Sequence, residues 1–179
     1  PLPLWPIFAL GALITLARPP EALLVLRAQD IGFSLSSAPL ILAAMNLAYA
    51  LSAFPLGRLF DRVGARHLLQ AGLLLMLLSQ LLLALGDTPV WCVLGALCWG
   101  LHLGCSQGVI AALIAQRAPK AKRARAFGWY ALVCGLALLA NGGLTGLLWQ
   151  MLSPASAFLV TAAIASGGLL LAPRLLRQH

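Results

Sequence analysis

Charged residues are scarce in this chain. Only 9% of its 179 residues are Asp, Glu, Lys or Arg, and only four residues are acidic. Soluble domains carry roughly 25% charged residues, so this scarcity excludes an ordinary water-soluble domain. Hydrophobic residues make up 61% of the chain, and the mean hydropathy is +0.95. The composition therefore indicates an integral membrane protein.

Other absences exclude further classes of protein. No segment matches the phosphate-binding pattern G-x-x-x-x-G-K-[ST], which excludes an ATPase built on a P-loop. The four cysteines lie in apolar runs without a C-x-x-C pair, so they provide no disulfide framework. The net charge of +8 comes from basic residues grouped between apolar runs. A nucleic-acid binder needs them on one solvated face, so we expect no nucleic-acid partner.

The sequence does contain apolar runs that are long enough to cross a lipid bilayer. A membrane-spanning helix needs about 20 apolar residues, and turn-forming residues separate the runs. We predict an all-α membrane bundle that forms one domain over residues 1–179. Its six spans are predicted at residues 5–28, 37–56, 68–85, 90–115, 126–149 and 155–172.

The Lys and Arg residues predict which side of the membrane each loop faces. Ten of the twelve lie between spans two and three, between spans four and five, or in the C-terminal segment with Arg174 and Arg177. Cytoplasmic loops of membrane proteins are enriched in Lys and Arg. We therefore expect both termini in the cytoplasm, with the chain in a bacterial inner (plasma) membrane.

Two motifs carry a resemblance to a known family. The loop between spans two and three reads G-x-L-x-D-R-x-G-x-R over residues 57–66. Residues 119–128 contain proline followed by R-A-R-A-F-G and open the fifth span. Both resemble motifs found in each half of the major facilitator superfamily, and the resemblance covers essentially the whole chain. Ala65 stands where the family often has a basic residue.

The resemblance implies that the charged loop is a conformational latch. In the family this motif is taken to hold helices together in one access state and to release them in the other. Glycines permit tight turns and close helix approach, and an aspartate between arginines can accept charge-assisted hydrogen bonds. The alternative is a solvated basic turn that only fixes topology. The latch residues are predicted to be Gly57, Asp61, Arg62, Gly64 and Arg66.

Members of this family have two six-helix halves, so the chain resembles one half of a transporter. The N-terminal half of many antiporters has an arginine motif in its fourth helix and a glycine–proline motif in its fifth. Here the fourth span has no arginine before Arg117, and the fifth has no proline. The resemblance therefore favours the C-terminal half. The chain begins with Pro1 rather than Met, and we expect a fragment whose partner is the other six-helix half.

Charged residues inside the first span mark a candidate substrate or proton pathway. Arg18 and Glu21 flank Pro19 and Pro20, and paired prolines break a helix and free backbone carbonyls. A charge at the membrane centre costs about 2.5–3.5 kcal/mol on insertion scales. Arg18 is a candidate for holding an anionic group, and Glu21 for binding a cation or carrying a proton. The alternative is a structural ion pair between the two.

Polar side chains of later spans complete the predicted pathway. Asn46 and Asn141 are more typical of hydrogen bonds between helices than of ligand contacts. His102 shares a helix face with Cys98 and Cys105, and we expect a cavity contact there rather than a metal site. No cofactor is expected. The residues predicted along the pathway are Arg18, Glu21, Asn46, His102, Gln107 and Asn141.

Two alternatives to a transporter remain. Residues 104–108 match the nucleophile pattern G-x-S-x-G, and six-helix intramembrane serine proteases carry their nucleophile on a fourth helix. A serine nucleophile needs a base, but the sixth span has no histidine to supply it, so we expect no enzyme. The resemblance implies half of a secondary transporter that moves a small solute by alternating access, with proton-coupled efflux as the expected mode. A six-span scaffold without transport is the second alternative.

Overall fold

Helices make up almost all of the computed structural model, which describes residues 4–176, with side chains through Ala172. No strand occurs in this range. Pro1 and Arg177 lie outside the described residues, and only the backbone of Arg174 is described. The elements are α1 (Trp5–Ala17), α2 (Glu21–Asp30), α3 (Pro39–Leu85), α4 (Pro89–Arg117), a 3-10 turn (Lys120–Lys122), α5 (Arg123–Met151) and α6 (Pro154–Leu176).

Five helical stretches of the described chain are long and apolar enough to cross a membrane. Large apolar side chains such as Leu47, Leu139 and Leu170 are exposed on these stretches. Lipid solvates such side chains, whereas water does not. The chain is therefore an integral membrane protein. The stretches are Trp5–Asp30, Pro39–Leu85, Pro89–Arg117, Lys120–Met151 and Pro154–Ala172.

The first predicted span, residues 5–28, is divided into two helices. α1 ends at Ala17 and α2 begins at Glu21. Pro19 has no backbone N–H to donate to the carbonyl of Thr15, and Pro20 likewise cannot continue the α1 ladder. The break that the paired prolines predict is confirmed.

The helix α3 is broken at Gly64. Its 47 residues would extend about 70 Å as a straight helix, more than twice the roughly 30 Å hydrocarbon core of a bilayer. Gly64 has φ 80° and ψ 166°, a conformation that residues with a Cβ rarely adopt. It divides α3 into a first arm, residues 39–63, and a second arm, residues 65–85. The predicted loop at residues 57–66 is thus helical except at Gly64.

The first arm of α3 packs closely on α4 through glycines spaced four residues apart. A Cβ on Gly100 would overlap the carbonyl oxygen of Met45, and a Cβ on Gly104 would overlap Oγ of Ser52. Gly108 has no neighbour within 4 Å of such a Cβ. The close approach therefore involves two of the three glycines and ends before the third.

The second arm of α3 packs along α4 in the opposite direction. A Cβ on Gly72 would lie 2.9 Å from Cβ of Cys105, and a Cβ on Gly95 would lie 2.8 Å from Cγ of Leu83. Later residues of the second arm therefore contact earlier residues of α4, so these two segments are antiparallel. Later residues of the first arm contact later residues of α4, so those two segments are parallel. The two arms of α3 are therefore antiparallel to each other.

The core consists mainly of two apolar clusters toward opposite ends of the bundle. One contains Leu68 and Ala118, which adjoin the two basic segments of the sequence. The other contains Ala38, Ala84 and Cys92, which adjoin the connections between α2 and α3 and between α3 and α4. The basic segments at 57–66 and 117–125 therefore lie at the same end.

Candidate functional site

A cavity of about 360 Å³ lies between α1, α4 and α5. α1 packs mainly against α5 and α6, and α4 packs mainly against α3, whereas α4 and α5 make few contacts with each other. The cavity fills the gap that results, and its volume is typical of small-ligand pockets, which enclose roughly 300–1,000 Å³. The lining residues are Gly11, Ile14, Thr15, Arg18, Ser106, Gln107, Ile110, Tyr130, Cys134, Gly135 and Leu138.

Two of the predicted pathway residues line this cavity, Arg18 and Gln107. Arg18 follows the last residue of α1 and has an extended backbone, with φ −106° and ψ 108°. Its side chain is half-buried, and that of Gln107 is exposed, so the cavity opens to the outside of the chain. Tyr130 also lines the cavity, although the sequence analysis did not single it out. Its polar hydroxyl in an apolar span was the available signal.

The structure contradicts the ion pair between Arg18 and Glu21. Both side chains are described, and no salt bridge joins them; within the described range the ion pair is Arg27 with Asp30. Glu21 is exposed at the first turn of α2 and is not among the cavity-lining residues. The charge of Arg18 is therefore not neutralised by Glu21.

The two aliphatic hydroxyl groups of the cavity donate to backbone carbonyls of their own helices. Thr15 Oγ1 donates to Gly11 O at 2.8 Å, and Ser106 Oγ donates to His102 O at 2.9 Å. The Ser106 hydroxyl thus contacts a backbone carbonyl instead of a histidine ring. Gln107 accepts a hydrogen bond at Oε1 from the hydroxyl of Tyr49, at 3.3 Å, which leaves its amide nitrogen free to donate.

Two amide side chains from different helices bind the carbonyls freed at the break in the first span. Asn141 of α5 donates from Nδ2 to Thr15 O, at 3.2 Å, and to Arg18 O. Gln80 of the second arm of α3 donates from Nε2 to Ala17 O. We call these two side chains the amide pair. Asn141 therefore bonds between helices, as its position in a span predicts.

The role of Gln80 was not foreseen from the sequence. Its side chain is 1% exposed, as is that of Asn141. The signal was present, since Gln80 is the one amide in a run of leucines over residues 77–83. What the run does not reveal is the partner, because the carbonyl that Gln80 binds lies 63 positions earlier in the chain.

Asn46 does not make the predicted interhelical hydrogen bond. Its side chain is exposed, and Nδ2 donates to Leu42 O, on the preceding turn of the same arm, at 2.8 Å. An amide in lipid can meet its hydrogen-bonding requirement in this way without a neighbouring helix. Asn46 therefore lies on the outer surface of the described chain, away from the cavity lining.

His102 lies between α4 and the second arm of α3. Its ring is fully buried, and Nδ1 bonds to the carbonyl oxygen of Gly72 at 2.9 Å. It is not among the residues that line the cavity. His102 is thus buried in the contact between two packed helices, outside the cavity lining.

The predicted latch residues surround the break in α3. Asp61 is exposed and lines a second cavity, of about 410 Å³, with Gly57. Arg62 lines a separate groove beside the arginine at position 58. Among the described residues Asp61 makes no ion pair or side-chain hydrogen bond, so the expected bonds to its flanking arginines are not formed.

The two glycines of the motif differ in their structural role. Gly64 has the positive φ that makes the turn, whereas Gly57 is helical, and a Cβ there would meet nothing within 4 Å. The close approach expected at Gly57 is thus absent within the described chain. Arg66, in the second arm, is half-buried, and its Nε has no hydrogen-bond partner among the described groups.

Comparisons with known proteins agree with the fold. The family described as Major Facilitator Superfamily matches residues 4–179. Uncharacterized proteins of Mycobacterium tuberculosis and Mycobacterium bovis are 32% identical over 113 residues, which is 63% of this chain and 27% of theirs. The tetracycline resistance protein, class B, of Escherichia coli is 33% identical over 124 residues, 69% of this chain and 30% of that protein. The alignments thus cover less than a third of these relatives. The chain belongs to the Major Facilitator Superfamily, a family of membrane transporters.

Proposed function

We propose that this chain is one six-helix half of a secondary transporter that moves a small solute by alternating access. The cavity beside the broken first span is the observation that carries the proposal. Mid-membrane cavities at discontinuous helices are where such transporters bind substrate. Because Gln107 is exposed, the cavity opens outward, and a second half placed there would complete its wall.

The proposed half crosses the membrane six times. α1 and α2 together make one crossing, each arm of α3 makes one, and α4, α5 and α6 make three more. In this arrangement the first three crossings and the last three form two units of inverted topology. The antiparallel arms and the length of α3 support this count, since a 47-residue helix exceeds what one crossing of about 30 Å needs.

The proposed orientation places both termini and the two basic segments in the cytoplasm of a bacterium. Their location at one end of the bundle supports this, because the positive-inside rule then applies to both together. Within this orientation the exposed Asp61 acts as a latch toward the second half. Its lack of an ion-pair partner in the described chain leaves the carboxylate available for a helix outside it.

Export of a compound with a mostly hydrophobic body is the direction that we propose. One relative is named as a tetracycline resistance protein, and a resistance protein is consistent with removal of a compound from the cell. Apolar side chains such as Ile14, Ile110 and Leu138 form much of the cavity wall. Glu21, exposed at the first turn of α2, is the proposed carrier of the coupling proton.

Reconstitution into liposomes tests the proposal. The purified chain alone is expected to show no saturable uptake of tetracycline or of a panel of small apolar and ionic solutes. Protein that contains this chain together with a second six-helix half is expected to accumulate at least one of them under an imposed pH gradient. Saturable uptake by the monomeric chain would contradict the half-transporter. No uptake of any solute by the two-half protein would instead favour a membrane scaffold.

A further inference from the structure

We propose that the cavity selects the anionic end of an amphiphilic organic acid, with Arg18 as the binding charge and the amide pair as positioning residues. This inference rests on the proposed function, since it names the class of solute that the transporter takes. It concerns the residues of the cavity between α1, α4 and α5, and it is separate from the latch at the break in α3.

The charge of the cavity is the first argument. Arg18 is the only charged residue among those that line the described cavity. The chain has four acidic residues, and none lines this space. A guanidinium group in a half-buried, largely apolar site is costly unless an anion accompanies it. A ligand carboxylate supplies that anion and matches the planar guanidinium with two parallel hydrogen bonds.

The remaining hydrogen-bond donors favour the same class of ligand. The hydroxyl protons of Thr15 and Ser106 go to backbone carbonyls. The amide nitrogen of Gln107 stays free, because Tyr49 bonds to the oxygen of that amide. The donors that remain on the cavity wall therefore include a guanidinium, an amide nitrogen and the hydroxyl of Tyr130, a set suited to an acceptor with several lone pairs.

The rest of the wall is suited to an apolar body. Ile14, Ile110 and Leu138 line the cavity together with the ring of Tyr130. About 360 Å³ is available, which is enough for a small aromatic acid of one or two fused rings. A ligand with an acid group and such a ring can place the acid against Arg18 and the ring against the apolar side chains.

The amide pair fixes the point from which Arg18 extends. Asn141 holds the carbonyl of Arg18 itself, and Gln80 holds the carbonyl of Ala17. Hydrogen bonds from two different helices restrict the backbone conformation at this proline break. We infer that the amide pair orients Arg18 toward the cavity without touching the ligand.

Ligands that differ only in charge test this selectivity. 2-Naphthoate, the neutral 2-naphthamide and the cation 2-naphthylmethylammonium would be titrated, by fluorescence, into the purified protein that contains both halves. Because charge-assisted bonds are worth more than neutral ones, naphthoate should bind about tenfold or more tightly than naphthamide. Equal affinity for the acid and the amide, or preference for the cation, would overturn the inference.

Variants assign the selectivity to Arg18. Arg18→Gln is expected to lower naphthoate affinity to that of naphthamide while leaving naphthamide affinity unchanged, and Arg18→Lys should retain part of the preference. Arg125→Gln is the matched control, because Arg125 is exposed in the first turn of α5 and is not among the cavity-lining residues. Unchanged naphthoate preference in Arg18→Gln would overturn the role of Arg18. A thermal melt confirms that each variant is folded.

A separate measurement tests whether the amide pair positions Arg18. Asn141→Leu should reduce the ratio of naphthoate to naphthamide affinity, since misplacing the guanidinium harms only the acid. A residue that merely supports the fold would lower both affinities together and leave the ratio unchanged, which would contradict positioning.

The outcome is also separable from the proposed function. Transport of neutral or cationic solutes alone would overturn the anion site but agree with a transporter. Naphthoate binding without transport of any solute would support the anion site but contradict the transporter.

Discussion

Two prolines determine much of the chemistry at the centre of the first span. Pro19 and Pro20 interrupt the helix between Ala17 and Glu21, and the freed carbonyls face a lipid-surrounded bundle in which water is scarce. An unsatisfied carbonyl there costs several kcal/mol in hydrocarbon by general estimates. The amide pair removes that cost, which explains why two fully buried amides occur in otherwise apolar helices.

The amide pair should stabilise the fold measurably. Gln80→Leu and Asn141→Leu are each expected to lower the free energy of unfolding by about 0.6–1.7 kcal/mol, the range for hydrogen bonds within membrane bundles. Asn46→Leu is the matched control. Asn46 is exposed and bonds only within its own helix, so its removal should change stability little. Melting temperatures in one detergent provide the comparison, and an equal loss in Asn46→Leu and Asn141→Leu would contradict the interpretation.

Substitution of Glu21 tests whether this residue carries the coupling proton. Because it has no ion-pair partner among the described residues, Glu21→Gln should leave expression and melting temperature unchanged in the two-half protein. If Glu21 carries the coupling proton, uptake in liposomes should cease to respond to an imposed pH gradient, while exchange of solute without a gradient continues. A variant that fails to fold would show a structural role, and unchanged coupling would exclude Glu21 as the carrier.

At the scale of elements, glycines decide how the helices of the bundle meet. Gly64 supplies a positive φ and divides α3 into antiparallel arms. Gly100 and Gly104 let the first arm approach α4 closely. Small residues serve this purpose in membranes because packing replaces the hydrophobic effect as the force between helices.

Two glycines of α4, Gly100 and Gly108, provide a matched pair of variants. Gly100→Ala should destabilise the chain by about 1–3 kcal/mol, because its Cβ meets a backbone carbonyl that must shift. Gly108→Ala introduces the same methyl group into open space, so its melting temperature should be unchanged or slightly higher, since alanine favours helix. Equal melting temperatures for the two variants would show that α4 and the first arm of α3 do not pack as described.

The predicted spans agree with the helices better than the predicted loops do. Spans four, five and six fall within α4, α5 and α6, and the proline break of the first span was foreseen. The prediction of a loop over residues 57–66 is wrong, because a charged segment can be helical. Charged side chains at a membrane surface can extend into water from a continuing helix, so only Gly64 interrupts it.

For the whole molecule, the arrangement of the basic segments makes a prediction about topology. In a background without native cysteines, Asp87→Cys should react in intact cells with a reagent that cannot cross the membrane, because the proposed orientation places the connection between α3 and α4 on the outside. Lys122→Cys, between α4 and α5, should react only after the cells are opened. Both positions are exposed, so accessibility within the fold does not bias the comparison. The opposite labelling pattern would invert the proposed orientation.

The cavity was only partly predictable from the sequence. Arg18 is conspicuous as a charge within an apolar span, and Gln107 lies within the G-x-S-x-G match at residues 104–108. His102 and Asn46 are conspicuous as polar residues in apolar spans, yet His102 is buried between two helices and Asn46 lies on the outer surface. A polar residue in a span signals that some partner exists, but the identity of that partner depends on how the helices are rotated against one another.

The membrane class, the apolar spans, the break at the paired prolines and the family resemblance can all be recognised in the amino-acid sequence. These follow from the transfer energy of side chains and from the geometry of proline, which are properties of the residues themselves. Only the tertiary structure decided which groups meet. Asn141 binds a carbonyl 126 positions away, Arg18 lines the cavity without Glu21, and Gly108 faces open space. Such contacts depend on the rotation and approach of packed helices, which no local pattern specifies.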